Sequence, residues 1–249
     1  EHPRPNAVWQ MDFKGHFPMT GGGSCHPLTV VDDHSRYAVC LKACANERAV
    51  TVKDCLCETF GRYGLPDAML VDNGSPWGGG PGYRWTQLGV WLLKLGVDVI
   101  HSRPYHPQTR GKNERFHRTL KVEVLATRRF ADLEGLQQAF DAWRTLYNLE
   151  RPHQGIDMQV PADRYQPSPR SMPTKLSEVE YDKNEETRRV GTTKSYISFK
   201  GKLWKVPKAF MGQRVAIRPQ KDQAVHGIYF GARKIATINL NDDGQADNV

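Results

Sequence analysis

What the chain lacks narrows its class first. Among 249 residues there is no run of 18 or more apolar residues, so no membrane-spanning helix is predicted and no membrane partner is expected. The five cysteines (Cys25, Cys40, Cys44, Cys55, Cys57) are odd in number and form no Cys-x-x-Cys pair. That disfavours a zinc ribbon or a disulfide scaffold, and free thiols in a reducing cytoplasm are expected. The opening residues, Glu1-His2-Pro3-Arg4-Pro5-Asn6, lack the apolar stretch of a signal peptide. No internal repeat is visible. Acidic residues are scarce in two places: residues 101–129 hold eight Lys/Arg against two acids, and residues 194–221 hold eight Lys/Arg and no acid.

What is present begins with that charge. The net formal charge is +8, of which +6 falls on residues 161–249. A basic stretch can be a solvated face. Two such stretches, interleaved with aromatic residues, are the footprint of a polyanionic partner, nucleic acid foremost. The apolar fraction of 39%, with six Trp, suffices for a packed core.

Periodicity places the elements. Residues 8–14 alternate, with Trp9, Met11 and Phe13 on one face and Gln10, Asp12 and Lys14 on the other, which predicts a strand. Strands are predicted at 28–32 and 36–43 around an Asp32-Asp33-His34-Ser35 turn. A helix follows over 46–63, with Asn46 as N-cap and a stripe of Ala49, Val52, Leu56 and Phe60, stopped by Gly64-Leu65-Pro66. The wholly apolar run 68–71 reads as a strand buried on both faces. A glycine-rich loop over 75–83, a helix over 84–95 and a short strand over 97–100 come next. Pro104 and Pro107 keep the following segment non-helical, and a helix resumes near Lys112 with Phe116, Leu120 and Val124 as its stripe. A last long helix, 132–148, is capped by Asp132; its apolar face of Leu133, Leu136, Phe140, Trp143 and Tyr147 reads as core packing. The order predicts an α/β fold: a mixed sheet flanked by helices.

Three carboxylates stand out, each with a plain reading beside the functional one. Glu114 can pair with Arg118 four residues on, an interaction of about 0.3 kcal/mol. Asp12 can be a surface residue of its strand. Asp72 can be a turn residue before Asn73-Gly74. Together they are three acids from three elements of one sheet-and-helix domain. Clustered carboxylates raise one another's pKa, and a divalent cation removes that cost. Hard Mg²⁺ takes carboxylate oxygens, and two ions about 3.5–4 Å apart can clamp an in-line phosphoryl displacement.

The segments "WQMDF" around Asp12, "LVDNGSPW" around Asp72, "PYHPQTRGKNERFHRTLK" around Glu114 and "YNLERPHQGI" over 147–156 lie in one order. Over roughly residues 8–165 they resemble the bacterial insertion-sequence transposases of the retroviral-integrase superfamily. The resemblance implies an RNase H-like catalytic core. It implies Asp12, Asp72 and Glu114 as catalytic metal ligands for two Mg²⁺ ions, with Mn²⁺ able to substitute. It also implies double-stranded DNA, both element ends and target, as partner, with Arg118 and Lys121 on the element end and Lys112, Asn113 and Arg115 beside the acid. The expected activity is 3′-end cleavage and strand transfer, with a homo-oligomer on DNA, in a bacterial cytoplasm at the nucleoid. The alternatives are an RNase H-like nuclease and a non-catalytic DNA-binding relative. Two departures stand out. Asp72 and Glu114 are 42 positions apart, more than the family spacing, with a Gly-rich loop at 78–82 taking up the excess. No zinc module or helix-turn-helix precedes the core, so residue 1 is expected to be a boundary within a longer protein.

The expected organisation is therefore a catalytic core over 1–157 and a proline-bearing linker over 158–185 (Pro161, Pro167, Pro169, Pro173). A small β-barrel over 186–240 and a disordered tail over 241–249 complete it. Five alternating runs from "KSYISF" to "KIATINL" suggest the barrel, with Lys200-Gly201-Lys202 as a hairpin turn. Lys200, Lys202 and Lys205 are its expected DNA-backbone contacts.

Overall fold

The computed structural model describes residues 2–79, 84–102 and 111–242, and the backbone of 247–248. Most of the predicted Gly-rich loop at 78–82 and the proline-bearing lead-in to Glu114 at 103–110 lie outside the described residues. In chain order the first elements are β1 (Val8–Phe13), β2 (Phe17–Pro18), β3 (Ser24–Asp32), β4 (Ala38–Cys44), α1 (Ala49–Tyr63), β5 (Ala68–Val71), α2 (Gln87–Lys94), β6 (Asp98–His101), α3 (Gly111–Leu120) and α4 (Leu133–Leu149). The second half carries β7 (Thr187–Arg189), β8 (Tyr196–Phe199), β9 (Lys202–Lys205), β10 (Arg214–Pro219), β11 (Val225–Phe230), β12 (Arg233–Asn239) and β13 (Asp247–Asn248). The chain divides into two compact units, Glu1–Asp72 with Val99–Met172, and Asn73–Asp98 with Pro173–Val249.

The first unit is built on a mixed sheet in the order β2-β3-β1-β5-β6, with β4 also paired to β3. β1 runs antiparallel to β3 and parallel to β5. Its alternation decides which face each helix covers. Trp9 turns toward α1, where its ring lies 6.0 Å from Phe60. The opposite face carries Gln10 and Asp12 and receives α3. There Phe116 and Leu120 of α3 join Leu136, Phe140, Trp143 and Tyr147 of α4 over Val31, Ala38 and Leu41 of the sheet. α4 starts as expected: Asp132 Oδ1 accepts from Gly135 N at 2.8 Å. α1 starts later than expected. Asn46 Oδ1 accepts from Arg48 N at 3.0 Å and from Thr51 Oγ1 at 2.8 Å, so it caps from outside the first turn. Gly64 stops the helix at φ 75°, a left-handed conformation that glycine adopts without a side-chain clash.

Three expectations need correction. First, the linker does not begin at 158. Tyr165 stacks on Tyr37 at 4.3 Å, Leu65 N donates to Arg170 O at 2.7 Å, and Asn6 Nδ2 donates to Gln166 O at 2.7 Å, so the strap to Met172 packs on the first unit. Second, the segment Asn73–Asp98 groups with the C-terminal unit. Trp85 and Val90 belong to the apolar cluster of Phe199, Trp204, Phe210 and Ile228, and Gln87 Nε2 donates to Ala209 O at 3.1 Å. Third, the C-terminal strands form a five-stranded antiparallel sheet, β13-β12-β11-β10-β7, and a separate β8-β9 hairpin, rather than a closed barrel. The backbone of Asp247–Asn248 pairs with β12, so these two residues of the expected tail are ordered. Lys200 (φ 50°) and Gly201 (φ 75°) make the predicted hairpin turn.

Because Phe140 is fully buried at the α4–sheet contact, Phe140→Ala is expected to destabilise the first unit by about 3–5 kcal/mol. Asp132→Ala removes only a cap and is expected to cost about 1 kcal/mol. Chemical denaturation followed by tryptophan fluorescence measures both; equal losses would contradict the packing described.

Candidate active site

The register of two parallel strands sets the site. Gln10 of β1 stands opposite Leu70 of β5. Two residues further along each chain come Asp12 and Asp72. Registered residues on neighbouring parallel strands face the same side, about 4.8 Å apart. Asp12, next to last in β1, and Asp72, just past β5, thus come to the carboxyl ends of these two strands, each half-buried. α3 lies across this face and brings Glu114, exposed in its first turn, and Asn113, which is buried. All four line one cavity of about 100 Å³, together with Gln10 and Ser102. Ser102 was not among the expected site residues; its place just past the end of β6, next to β5, is the signal, since ligands gather at carboxyl ends of such strands.

Two braces hold α3 to the sheet. In the first, the Thr29 hydroxyl donates to Asp12 O at 3.0 Å, and His117 Nε2 lies 2.8 Å from the same hydroxyl. The hydroxyl has one proton, so His117 Nε2–H is the donor in that contact. Glu114's helix is thereby tied to the backbone of Asp12. His117 is buried, and burial, aided by the charge of Lys14, pushes its pKa down to about 4. In the second brace, Lys112 Nζ binds Asp33 Oδ1 at 2.7 Å, and Gln10 Nε2 donates to the same oxygen at 2.6 Å. Burial acts to raise the Asp33 pKa. The Lys112 hydrogen bond and charge, with the His2 N–H and Gln10, outweigh it and hold the carboxyl below its usual range. Gln10, expected on a polar face, is in fact buried in this network.

The remaining sequence-derived candidates fall in different places. Lys112 is taken up by Asp33, and Arg115 faces a second pocket on the other side of α3. Arg118 and Lys121 are exposed. The Glu114–Arg118 pair that the spacing allowed is not formed among the described residues. Lys200, Lys202 and Lys205 are exposed in the C-terminal unit, where Lys200 Nζ lies over the Phe199 ring at 5.7 Å. Lys202 Nζ donates to Leu240 O at 3.0 Å.

The donor set has hard-cation chemistry: two aspartates, a glutamate and the Asn113 Oδ1, a buried acceptor that no protein donor reaches. Among the described residues no three His, Cys, Asp or Glu side chains are drawn together tightly enough to grip a metal ion. Like charges repel, so closing these three requires positive charge between them. The residues fit a divalent cation in kind, and the cavity brings them to one place.

Comparison with known proteins agrees in both halves. Two models described as integrase core domain match residues 2–107 and 95–161, and the C-terminal domain of the IS481 family of transposases matches residues 185–246. The chain is 28% identical to the transposase for insertion sequence element IS904 of Lactococcus lactis, over 64% of this chain and 61% of that protein. It is 27% identical to a 31.7 kDa protein of insertion element IS407 of Burkholderia multivorans, over 64% of this chain and 55% of that protein. The chain thus spans less than two thirds of the length of either relative. In fold it is similar to a chain of the simian T-cell lymphotropic virus intasome, at a TM-score of 0.55 and 20% identity, covering 93% of this chain and 78% of that one.

The buried His117 makes stability depend on acid. Above pH 6.5 the imidazole is neutral folded and unfolded. Below it the unfolded chain takes up a proton that the folded chain refuses until about pH 4. Stability therefore falls as the pH drops through that window, by about 3 kcal/mol from this group. His117→Gln keeps a donor for Thr29 and does not titrate. Denaturation at pH 7 and pH 4 is expected to show a smaller acid loss in the variant, by about that amount; an identical loss would remove His117 from the account.

Proposed function

This chain belongs to the integrase-core superfamily of insertion-sequence transposases, and from that premise we propose that it cuts and joins DNA ends at the pocket of Asp12, Asp72 and Glu114. The observation that carries this reading is the β1–β5 register, which puts Asp12 beside Asp72 with Glu114 lining the same cavity. These are the residues that would hold divalent magnesium or manganese, and two ions can be accommodated by three carboxylates that share them. A bound divalent cation supplies the positive charge that acidifies an attacking hydroxyl and offsets the negative charge on a transferring phosphoryl group.

The chain's own residues do the rest. Asp12 and Asp72, at the ends of adjacent strands, would hold the cation against which the phosphodiester docks. Glu114, on a helix braced through His117 and Thr29, closes the site from the other side. Arg118 and Lys121 lie one and two turns beyond Glu114, exposed, where they meet the phosphates that flank the reacting one. Lys200, Lys202 and Lys205 offer the C-terminal unit's contribution to backbone binding. Water attacks the phosphorus at the element end, the P–O3′ bond breaks, and a 3′-hydroxyl is released. That hydroxyl then attacks a target phosphorus, a new P–O bond forms, and the target O3′ leaves with a proton. No covalent bond to the protein is needed. The DNA-bound form is a homo-oligomer, since joining two ends requires two sites, and its setting is the bacterial nucleoid.

The test is strand transfer with duplexes carrying the DNA that flanks the gene, in Mg²⁺ or Mn²⁺. Asp12→Asn, Asp72→Asn and Glu114→Gln are each expected to reduce cutting and joining to background. Their unfolding free energy is expected to stay level or rise, because each removes one of several like charges. Near wild-type turnover in any variant strikes that residue from the site. Cutting without joining favours a nuclease, and neither in the wild type favours a non-catalytic DNA-binding protein.

A further inference from the structure

α3 separates two pockets. Asn113 and Glu114 face the carboxylate cavity, while Lys112, Arg115 and Thr119, spaced three and four apart, face another of about 490 Å³. This second pocket also receives Arg36 from the turn after β3, and Arg151 and His153 from the segment after α4. Three arginines, a lysine and a histidine from three separate elements thus converge, and no carboxylate is among the lining residues. Lys112 and Arg151 are partly answered from outside the pocket by Asp33 and Glu123.

The pocket is pre-set rather than incidental. Arg36 is held at φ 68°, Asp157 at φ 55° and Met158 at φ 61°, left-handed conformations that non-glycine residues rarely adopt. Backbone bonds hold two of them: Arg36 N to Asp32 O at 2.9 Å, and Met158 N to His153 O at 3.0 Å. His153 Nε2 is buried with no protein partner. Burial lowers the pKa of that imidazole; a hydrogen bond to the Tyr147 backbone opposes the shift, and the charges of Arg151, Arg36 and Arg115 add to it.

We propose that this pocket grips one backbone phosphate of the nucleic-acid strand. Converging guanidinium groups match the tetrahedral oxygens of a phosphate and bind it by paired charge-assisted hydrogen bonds. The volume exceeds that of a bare oxyanion and leaves room for the attached sugar. The width of a helix, about 10 Å with its side chains, separates the two pockets. At roughly 3.4 Å of rise per nucleotide that is a few nucleotides, so a strand crossing α3 can place one phosphate at the carboxylates and another here. This rests on the proposed DNA reaction only for the identity of the strand.

The experiment is a salt titration of the full chain binding a short fluorescent duplex, with three variants: Arg115→Ala, Arg36→Gly and the two combined. Glycine suits the left-handed backbone at 36, so that variant is expected to fold. Because both arginines hold the same phosphate, the double variant is expected to lower the slope of log K against log salt by about 0.9, and not by twice that. An unchanged slope in all three overturns the proposal. A double-variant loss of about 1.8 overturns it as well, since it means two separate phosphates. Inorganic phosphate is run in parallel: if it raises the melting temperature of the wild type but not of the variants while the duplex slope stays unchanged, the pocket serves a free anion and the proposal fails. Absence of strand transfer by the wild type would sink the transposase reading and leave the slope result standing.

Discussion

The parallel pairing of β1 with β5 is the constraint from which the rest follows. It opposes Gln10 to Leu70 and so carries Asp12 alongside Asp72. The sheet imposes that proximity because the same register buries Trp9 and Met69 completely. Each buried side chain of that size contributes about 2–3 kcal/mol. That packing holds the ends of both strands at the cavity that Asp12 and Asp72 line.

α3 turns this edge into a site. Its apolar side, with Phe116 and Leu120, is clamped between sheet and α4. One polar side presents Asn113 and Glu114, and the other presents Lys112, Arg115 and Thr119. A single helix thus carries an acid toward two other acids and bases toward a second pocket. The His117–Thr29 and Lys112–Asp33 braces fix its height and rotation over β1. A helix so braced is positioned before any ligand arrives, which lowers the ordering cost of binding.

Much of this was legible in local pattern. The alternation of 8–14 assigned faces to Trp9 and Asp12 correctly, and Asp132 marked the start of α4. The motifs around three acids pointed to one site, and the cavity gathers those acids. What local pattern could not carry was long-range pairing. Nothing near Trp85 says that it packs with Phe210, 5.4 Å away between ring centres and far away in sequence. The prolines of 161–173 look like a linker until Tyr165 is seen stacked on Tyr37. Five alternating runs suggest a barrel, yet alternation fixes only which face is buried; whether a sheet closes depends on edge pairing. Arg36 is ordinary in its own segment, and the motif over 147–156 does not say that its Arg151 and His153 meet Arg36 in one pocket.

The central claim is that Asp12 and Asp72 are placed to share a divalent cation. Anomalous diffraction from crystals of the full chain soaked in Mn²⁺ measures it most directly. The account predicts a manganese peak in contact with both carboxylates, lost in crystals of Asp72→Asn. Well-ordered Asp12 and Asp72 side chains with no peak between them, at a Mn²⁺ concentration that fills other sites on the protein, would contradict it.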